Sequence, residues 1–443
     1  MRPILGVLGA ALAGAGSALR RIPVREHPKA SAIALALVVL LLVAATGGRV
    51  IGLGPPPPSP AAQFADQDLR GGEVNSIRIT VRDPAASIEL PRGFLPVLRG
   101  EITTRASVSD GDLVDGVLNV LVPPVNGSFE FAVSSPKGRW THTFEVVQGS
   151  EPVVSGEGAV GNLEMITQAY QFRFSGSPKV LRAAEHFRDL FIGWGLDARM
   201  YFYPWEVSSR PTIFDTSINL IVVCGFQQGA VEAGEWIVLG AHMDSVPQAI
   251  EGAYDDGSGT SSLLEVAEGL SQFKTRHTIV YCLWGGEEEG LYGSNRWVAE
   301  EADGDIRLYV NMDMAGLSWP APFNFTAFVG PDEDEAVAEH PGLLSLVENI
   351  TENELRYPRE GNFSILEDPF GRSDHVSFWS TGAPTVFFFG ADDVEYPDYH
   401  SRADTVATMV SLAGGRDVLV AGFDTLVWEC LYLTVHADQE EFD

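Results

Sequence analysis

Lysine is scarce in this chain: four of its 29 basic residues are lysine (Lys29, Lys137, Lys179 and Lys274), against 60 acidic residues, and the formal charge is −31. Six basic residues and one acidic residue fall before Pro55, which leaves −36 on the remainder. Self-repulsion of that size argues against nucleic acid or an anionic membrane surface as a partner of the folded part. The same balance is what a protein working in concentrated salt shows, because the screening length shortens to about 3 Å at 1 M. An ordinary acidic secreted protein is the alternative. Cysteine is scarce as well. Cys224, Cys282 and Cys430 are far apart and odd in number, so no disulfide framework is expected. Cys224 and Cys282 lie in apolar runs that read as buried strands, which makes small core residues of them.

At 443 residues, with 45% hydrophobic and 20% charged side chains, the chain reads as globular and long enough for two folded units plus a tail. The tail is the first fifty residues. Ser31 to Gly48 carries no charge and is rich in Ala, Leu and Val, which just reaches the length of a bilayer core. Arg2, Arg20, Arg21, Arg25 and Lys29 precede it, so residues 1–30 are expected in the cytoplasm and everything after Arg49 outside the membrane. Cleavage after the small residues Val43 and Ala45 is the competing outcome and gives a secreted protein. Sequons at Asn126, Asn324, Asn349 and Asn362 agree with either placement.

The run Pro55-Pro56-Pro57-Pro58-Ser59-Pro60 is an extended spacer, and residues 49–74 are expected to be a linker. From 75 to 150, short alternating stretches (76–81, 100–104, 117–121, 128–133 and 141–147) are separated by turn signals such as Asp110-Gly111 and Asn126-Gly127. This spacing predicts a small all-β sandwich. From 156 to 443 the pattern changes to alternating helices and strands. Pro178 to Trp194 is amphipathic behind a capping Ser177, with Val180, Leu181, Ala184, Phe187, Leu190 and Phe191 on one face. Residues 219–223, 236–241, 278–284 and 306–312 read as buried strands, and 258–270 and 294–300 as helices.

Acids and imidazoles stand at the ends of those strands. His242 closes one, Asp255 sits in the Gly-rich loop Asp255-Asp256-Gly257-Ser258-Gly259, Glu287 and Glu288 close the next, and Asp313 closes another. Any one of them alone is more often a solvated or satisfied residue. Together they supply hard and borderline ligands where open α/β sheets build sites, and imidazole with carboxylate suits zinc.

In order and spacing, A-H-M-D-S-V (241–246), G-A-Y-D-D-G-S-G (252–259), G-E-E-E-G-L-Y-G-S (286–294), V-N-M-D-M (310–314), S-D-H (373–375) and Y-H-S-R-A-D-T (399–405) resemble the co-catalytic di-zinc aminopeptidases, whose relatives include glutamate carboxypeptidases and glutaminyl cyclases. The resemblance covers roughly 165–435. It implies an α/β fold with a central mixed sheet flanked by helices, two Zn2+ ions and a peptide substrate. By it, His242 and Asp313 hold one zinc, Glu288 and His400 the other, and Asp255 bridges them. Glu287 is then the general base, Tyr399 an oxyanion donor, and Asp244, Asp256 and Asp374 support the ligands. Arg372 is placed to touch the substrate's terminal group, or to form an internal ion pair. A glutaminyl cyclase-like acyl transferase and an inactive relative serving as a binding module are the alternatives.

Overall fold

The computed structural model describes residues 59–206, 217–318, 325–330, 341–357, 363–367, 371–390 and 396–439. The apolar segment 31–48, the basic segment 1–30 and the sequons Asn324 and Asn362 lie outside these residues. The described residues from Pro60 onward make one compact unit.

Apart from one 3-10 turn at Asp110–Asp112, the regular elements of its first part are strands: β1 (Ala62–Phe64), β2 (Leu69–Gly71), β3 (Val74–Val81), β4 (Ser87–Glu89), β5 (Leu95–Leu98), β6 (Glu101–Ile102), β7 (Ser107–Ser109), β8 (Val117–Leu121), β9 (Gly127–Ser135) and β10 (Gly138–Gln148). They form two five-stranded sheets, ordered β1-β3-β8-β5-β6 and β2-β10-β9-β4-β7. Alternation does the sorting. In β3 every second residue is covered, and Ile77 and Ile79 join Phe131, Phe144 and Val146 of the other sheet in one apolar cluster. The stretch expected to be linker already pairs within the sheets, β1 with β3 and β2 with β10, because Ala62, Phe64 and Leu69 supply buried apolar side chains.

The second part has eight α-helices, α1 (Gly156–Ala169), α2 (Pro178–Gly193), α3 (Ser258–Ser271), α4 (Tyr292–Glu300), α5 (Pro341–Asn349), α6 (His375–Trp379), α7 (Val406–Ala413) and α8 (Arg416–Gln439), among the described residues. Its strands are β11 (Asp197–Glu206), β12 (Ser217–Gln227), β13 (Glu232–His242), β14 (His277–Trp284), β15 (Asp305–Met312), β16 (Phe325–Gly330), β17 (Phe363–Glu367) and β18 (Thr385–Phe389). They form one mixed sheet in the order β11-β12-β14-β13-β15-β18-β16-β17, with β14, β13, β15 and β18 parallel at the centre. Successive residues of the central strands face opposite layers. Ile237, Leu239 and Ala241 pack under α1, α2, α3 and α8, while Val238, Val280 and Trp284 pack against Trp297 of α4 and Phe378 of α6.

The Oγ of Ser177 accepts the Val180 amide at 3.1 Å and caps α2, whose buried face takes Ala183 while Leu181 stays exposed. One correction concerns the cysteines. Cys224 and Cys282 are a disulfide, because β12 runs antiparallel to β14 in a register that sets them directly opposite, Cα to Cα 4.2 Å. Cys430 remains free and buried. Among the described residues, α8 is the one helix long and apolar enough to cross a membrane, and most of it is buried inside the protein.

Candidate metal centre

Three parallel strands deliver the site. His242 is the last residue of β13, Glu287 and Glu288 follow β14, and Asp313 follows β15. Asp255 and Asp256 lie in the turn before α3, joined by a cis peptide bond, and His400 comes from the loop before α7. Two glycines let these segments close up. A Cβ on Gly259 would stand 2.1 Å from the Met312 carbonyl oxygen, and one on Gly285 would stand 2.3 Å from that of Ile221.

Asp255 is at the middle. Its Oδ1 is 3.1 Å from His242 Nε2, and its Oδ2 is 3.1 Å from His400 Nε2. Each imidazole meets one further carboxylate: Asp313 Oδ1 is 3.6 Å from His242 Nε2, and Glu288 Oε2 is 3.0 Å from His400 Nε2. All five side chains except that of His400 are nearly enclosed. His242 Nε2, Asp313 Oδ1, Glu288 Oε1 and His400 Nε2 are buried with no hydrogen-bond partner among the described residues. Buried polar atoms are normally paired, so this donor set fits a cation, and two imidazoles with three carboxylates fit zinc.

The electrostatics agree with that fit. Burial drives Glu287 well above the usual carboxylate range, with the charge of His242 opposing and Asp374, Asp313 and Asp255 adding to the rise. Burial and the nearby Asp255 push Glu288 to about 7, against the hydrogen bond from His400. Burial alone would lower His242, yet Asp313, Glu287, Asp244 and Asp255 hold it well above its ordinary value. Acids crowded this closely around imidazoles need positive charge among them.

The supporting residues differ in what they grip. Asp244 offers its carbonyl oxygen to His242 Nδ1 at 3.2 Å, and its carboxylate accepts Ser175 Oγ at 2.9 Å and the Glu287 amide at 3.4 Å. Asp256 also falls within reach of His242 and Asp313. Its oxygens, however, accept the amides of His242 (3.2 Å), Gly259 (2.8 Å) and Met314 (3.2 Å), so it braces the backbone of three site segments. Asp374 is fully buried, accepts from Ser294 Oγ through Oδ1, and is raised to about 7 by burial. Tyr399 is 47% exposed and stacks on the His400 ring, centroids 3.7 Å apart. Arg372 is exposed at the start of the Ser373-Asp374-His375 segment.

Sequence reasoning missed several residues. Asp404 is buried and accepts the amides of Tyr254 (2.8 Å) and Asp255 (3.2 Å), fixing the turn that carries the central carboxylate. It stood inside the Tyr399–Thr405 motif, which was its signal. Arg173 is completely buried and donates to the carbonyls of Met243 (3.0 Å), Glu251 and Gly252 (2.9 Å), tying the residues after β13 to the turn; no motif marked it. A hydrogen-bonded chain runs from Trp284 Nε1 to Tyr309 OH (2.9 Å) and from Tyr309 OH to Asn311 Oδ1 (2.7 Å). It continues from Asn311 Nδ2 to Ser373 Oγ (2.8 Å), which donates to Asp313 Oδ2 (2.8 Å). That bond leaves Asp313 Oδ1 turned toward His242.

A mixed α/β sheet with acids and imidazoles collected at its carboxyl ends has the fold of the zinc aminopeptidases. Over residues 66% of this chain and 96% of its own, the aminopeptidase from Aneurinibacillus sp. strain AM-1 superposes with a TM-score of 0.51 at 16% identity. A glutaminyl cyclase from Porphyromonas gingivalis shares the fold at a TM-score of 0.50 and 18% identity, over 63% of this chain and 98% of its own. Residues 221–414 match the model of peptidase family M28, and the chain thus carries the segment that its motifs resemble. A probable glutamate carboxypeptidase of Arabidopsis thaliana is 31% identical over 42% of this chain and 28% of its own length. Aminopeptidase Y of Saccharomyces cerevisiae is 34% identical over 33% of this chain and 26% of its own. The chain thus spans less than a third of the length of either relative.

Proposed function

We propose that the protein is a zinc-dependent exopeptidase, an aminopeptidase that removes N-terminal residues from peptides. One observation carries this reading: a single carboxylate, Asp255, faces two imidazoles through its two separate oxygens, 3.1 Å from each. In this reading His242 and Asp313 would hold one zinc, Glu288 and His400 the second, and Asp255 would serve both. The ions would polarise the scissile carbonyl and make water acidic near neutrality. Glu287 takes the proton of the attacking water and returns it to the leaving amine, and a carboxyl raised by burial holds that proton between the two transfers. Tyr399 donates to the developing oxyanion, and Arg372 contacts the substrate's terminal group.

The test separates base from ligand. Glu287→Gln keeps every proposed ligand, so zinc content should stay while turnover falls by about 100-fold or more. Glu288→Gln should lose zinc together with rate. The opposite pattern would exchange the two roles, and full activity of verified metal-free protein would end the reading. A panel of aminoacyl amides, N-blocked peptides and N-terminal Gln peptides decides among aminopeptidase, carboxypeptidase and cyclase.

We further infer two folded segments, a β-sandwich before Gly156 and a peptidase domain after it, outside the cytoplasm and tethered through 31–48 when that segment is uncleaved. Protein lacking residues 1–54 should be soluble and fully active, since every proposed site residue lies at or after His242. A folded but inactive truncation would refute this division.

A further inference from the structure

Ten residues back along β13 from His242, roughly 30 Å at the rise of a strand, a second imidazole faces two carboxylates. His277 opens β14 and is the direct partner of Glu232, which opens β13. We propose that His277, Glu232 and Glu235 form a site for a divalent ion of the zinc class, separate from the catalytic centre, that ties the amino ends of β13 and β14 to the end of α8.

Orientation of the ring is the first argument. His277 Nδ1 lies 3.0 Å from the carbonyl oxygen of Asp438 on α8 and 3.3 Å from its Oδ1. A carbonyl can only accept, so Nδ1 carries a hydrogen and the ring is held with Nε2 turned toward Glu232 and Glu235. Backing an imidazole with a carbonyl and a carboxylate is how proteins fix a metal-binding tautomer. Asp438 is itself held, accepting the amides of Arg276 (2.9 Å) and His277 (2.8 Å).

The second argument is what Nε2 faces. His277 is 3% exposed, and its Nε2 stands 2.7 Å from Glu232 Oε2 and 3.6 Å from Glu235 Oε2 without an aligned hydrogen bond to either. Two carboxylate oxygens gathered about a buried ring nitrogen that makes no hydrogen bond call for positive charge among them, which a metal ion would supply. His242 Nε2 shows the same relation to Asp255 and Asp313. The three candidate ligand atoms lie within 4.8 Å of one another.

Charge and access set the character of the site. Arg307 Nη1 bonds Glu235 Oε2 at 2.7 Å, and Arg276 Nη2 is 3.7 Å from Glu232 Oε2. Two guanidiniums against the carboxylates of Glu232, Glu235 and Asp438 leave one net negative charge, which favours an exchangeable ion over a tightly held one. Glu232 and Glu235 are 45% and 39% exposed, so water completes the coordination.

The test counts zinc. Glu232→Gln/Glu235→Gln alters two part-exposed side chains and should fold normally by circular dichroism. At equilibrium dialysis against excess zinc, it should bind one zinc fewer per chain than the native protein, with turnover unchanged. Zinc should raise the thermal midpoint of His242→Ala/Asp255→Asn/His400→Ala, which lacks an imidazole at each catalytic ion and the shared carboxylate, and adding the Glu232→Gln/Glu235→Gln changes should abolish that rise. Failure of the catalytic reading would leave native protein with one zinc; failure of this one would leave the Gln pair with the native count. Equal zinc content in native protein and the folded Gln pair overturns the proposal and assigns the cluster as a protonated imidazole between acids.

Discussion

Between Ala62 and Gln148 the one ionisable side chain under cover is Asp83, and it pairs at 3.2 Å with the exposed Lys137. The core there is aromatic and aliphatic, with Phe131 packed edge-on against Phe64, Phe94 and Phe144. Between Gly156 and Gln439, by contrast, Arg173, His242, Asp244, Asp255, Asp256, His277, Asp313, Asp374, Asp404, Glu429 and Asp438 are all buried. Removing a charge from water costs several kcal/mol unless a partner offsets it. The first part therefore contributes stability and shape. The second gives up stability to hold groups at fixed positions, which is the signature of a functional site.

Phe131→Ala tests the first half of that contrast and carries the largest expected effect. It should cost about 3–5 kcal/mol in denaturant unfolding, while turnover per folded molecule stays at the native level. A loss of turnover below the unfolding transition would show that the β-rich part takes part in catalysis. Asp404→Asn tests the other half. One of the two amides that Asp404 accepts would then face an NH2 donor, so stability should fall by about 1–3 kcal/mol, and the turn bearing Asp255 loses an anionic anchor. Zinc affinity or kcat should fall about 10- to 100-fold. Native activity and zinc content in this variant would reduce Asp404 to a turn brace.

Glu429 sharpens the comparison through pH, because it is buried on α8 away from the proposed ligands. Burial raises it from 4.5 to about 8, with a hydrogen bond from Thr351 opposing and Glu354 adding to the rise. The folded protein keeps a proton that the unfolded chain releases across that window, so stability is greatest below it and declines as pH rises through it. The slope should approach 1.4 kcal/mol per pH unit, about one proton's worth, and Glu429→Gln should remove it. Equal pH slopes in native and variant protein would show that Glu429 is ionised in the fold. The smallest effect is diffuse. With −36 on residues 55–443, the unfolding midpoint should fall as salt is diluted from molar to millimolar, and a flat response would remove the inference of a saline habitat.

Local pattern was enough to mark Glu287, Glu288, Asp313 and His242 as strand-end residues, because apolar periodicity shows where each strand stops and the next residues along must emerge there. It also separated the alternating β-rich stretch from the α/β stretch. The pairing of β1 and β2 into the sheets was hidden, since three-residue strands carry too short a pattern to register. Cysteines 58 residues apart give no local sign of being opposite each other, and only the register of β12 on β14 brought Cys224 to Cys282. Asp404 grips the amide of Asp255 across 149 residues, and Asp438 reaches His277 across 161. The types of residue and the strand ends they occupy follow from the order of side chains along the chain. Which distant acid meets which amide or imidazole is decided only when the sheet order brings the strands together, because those contacts gain their energy from burial that no single segment achieves alone.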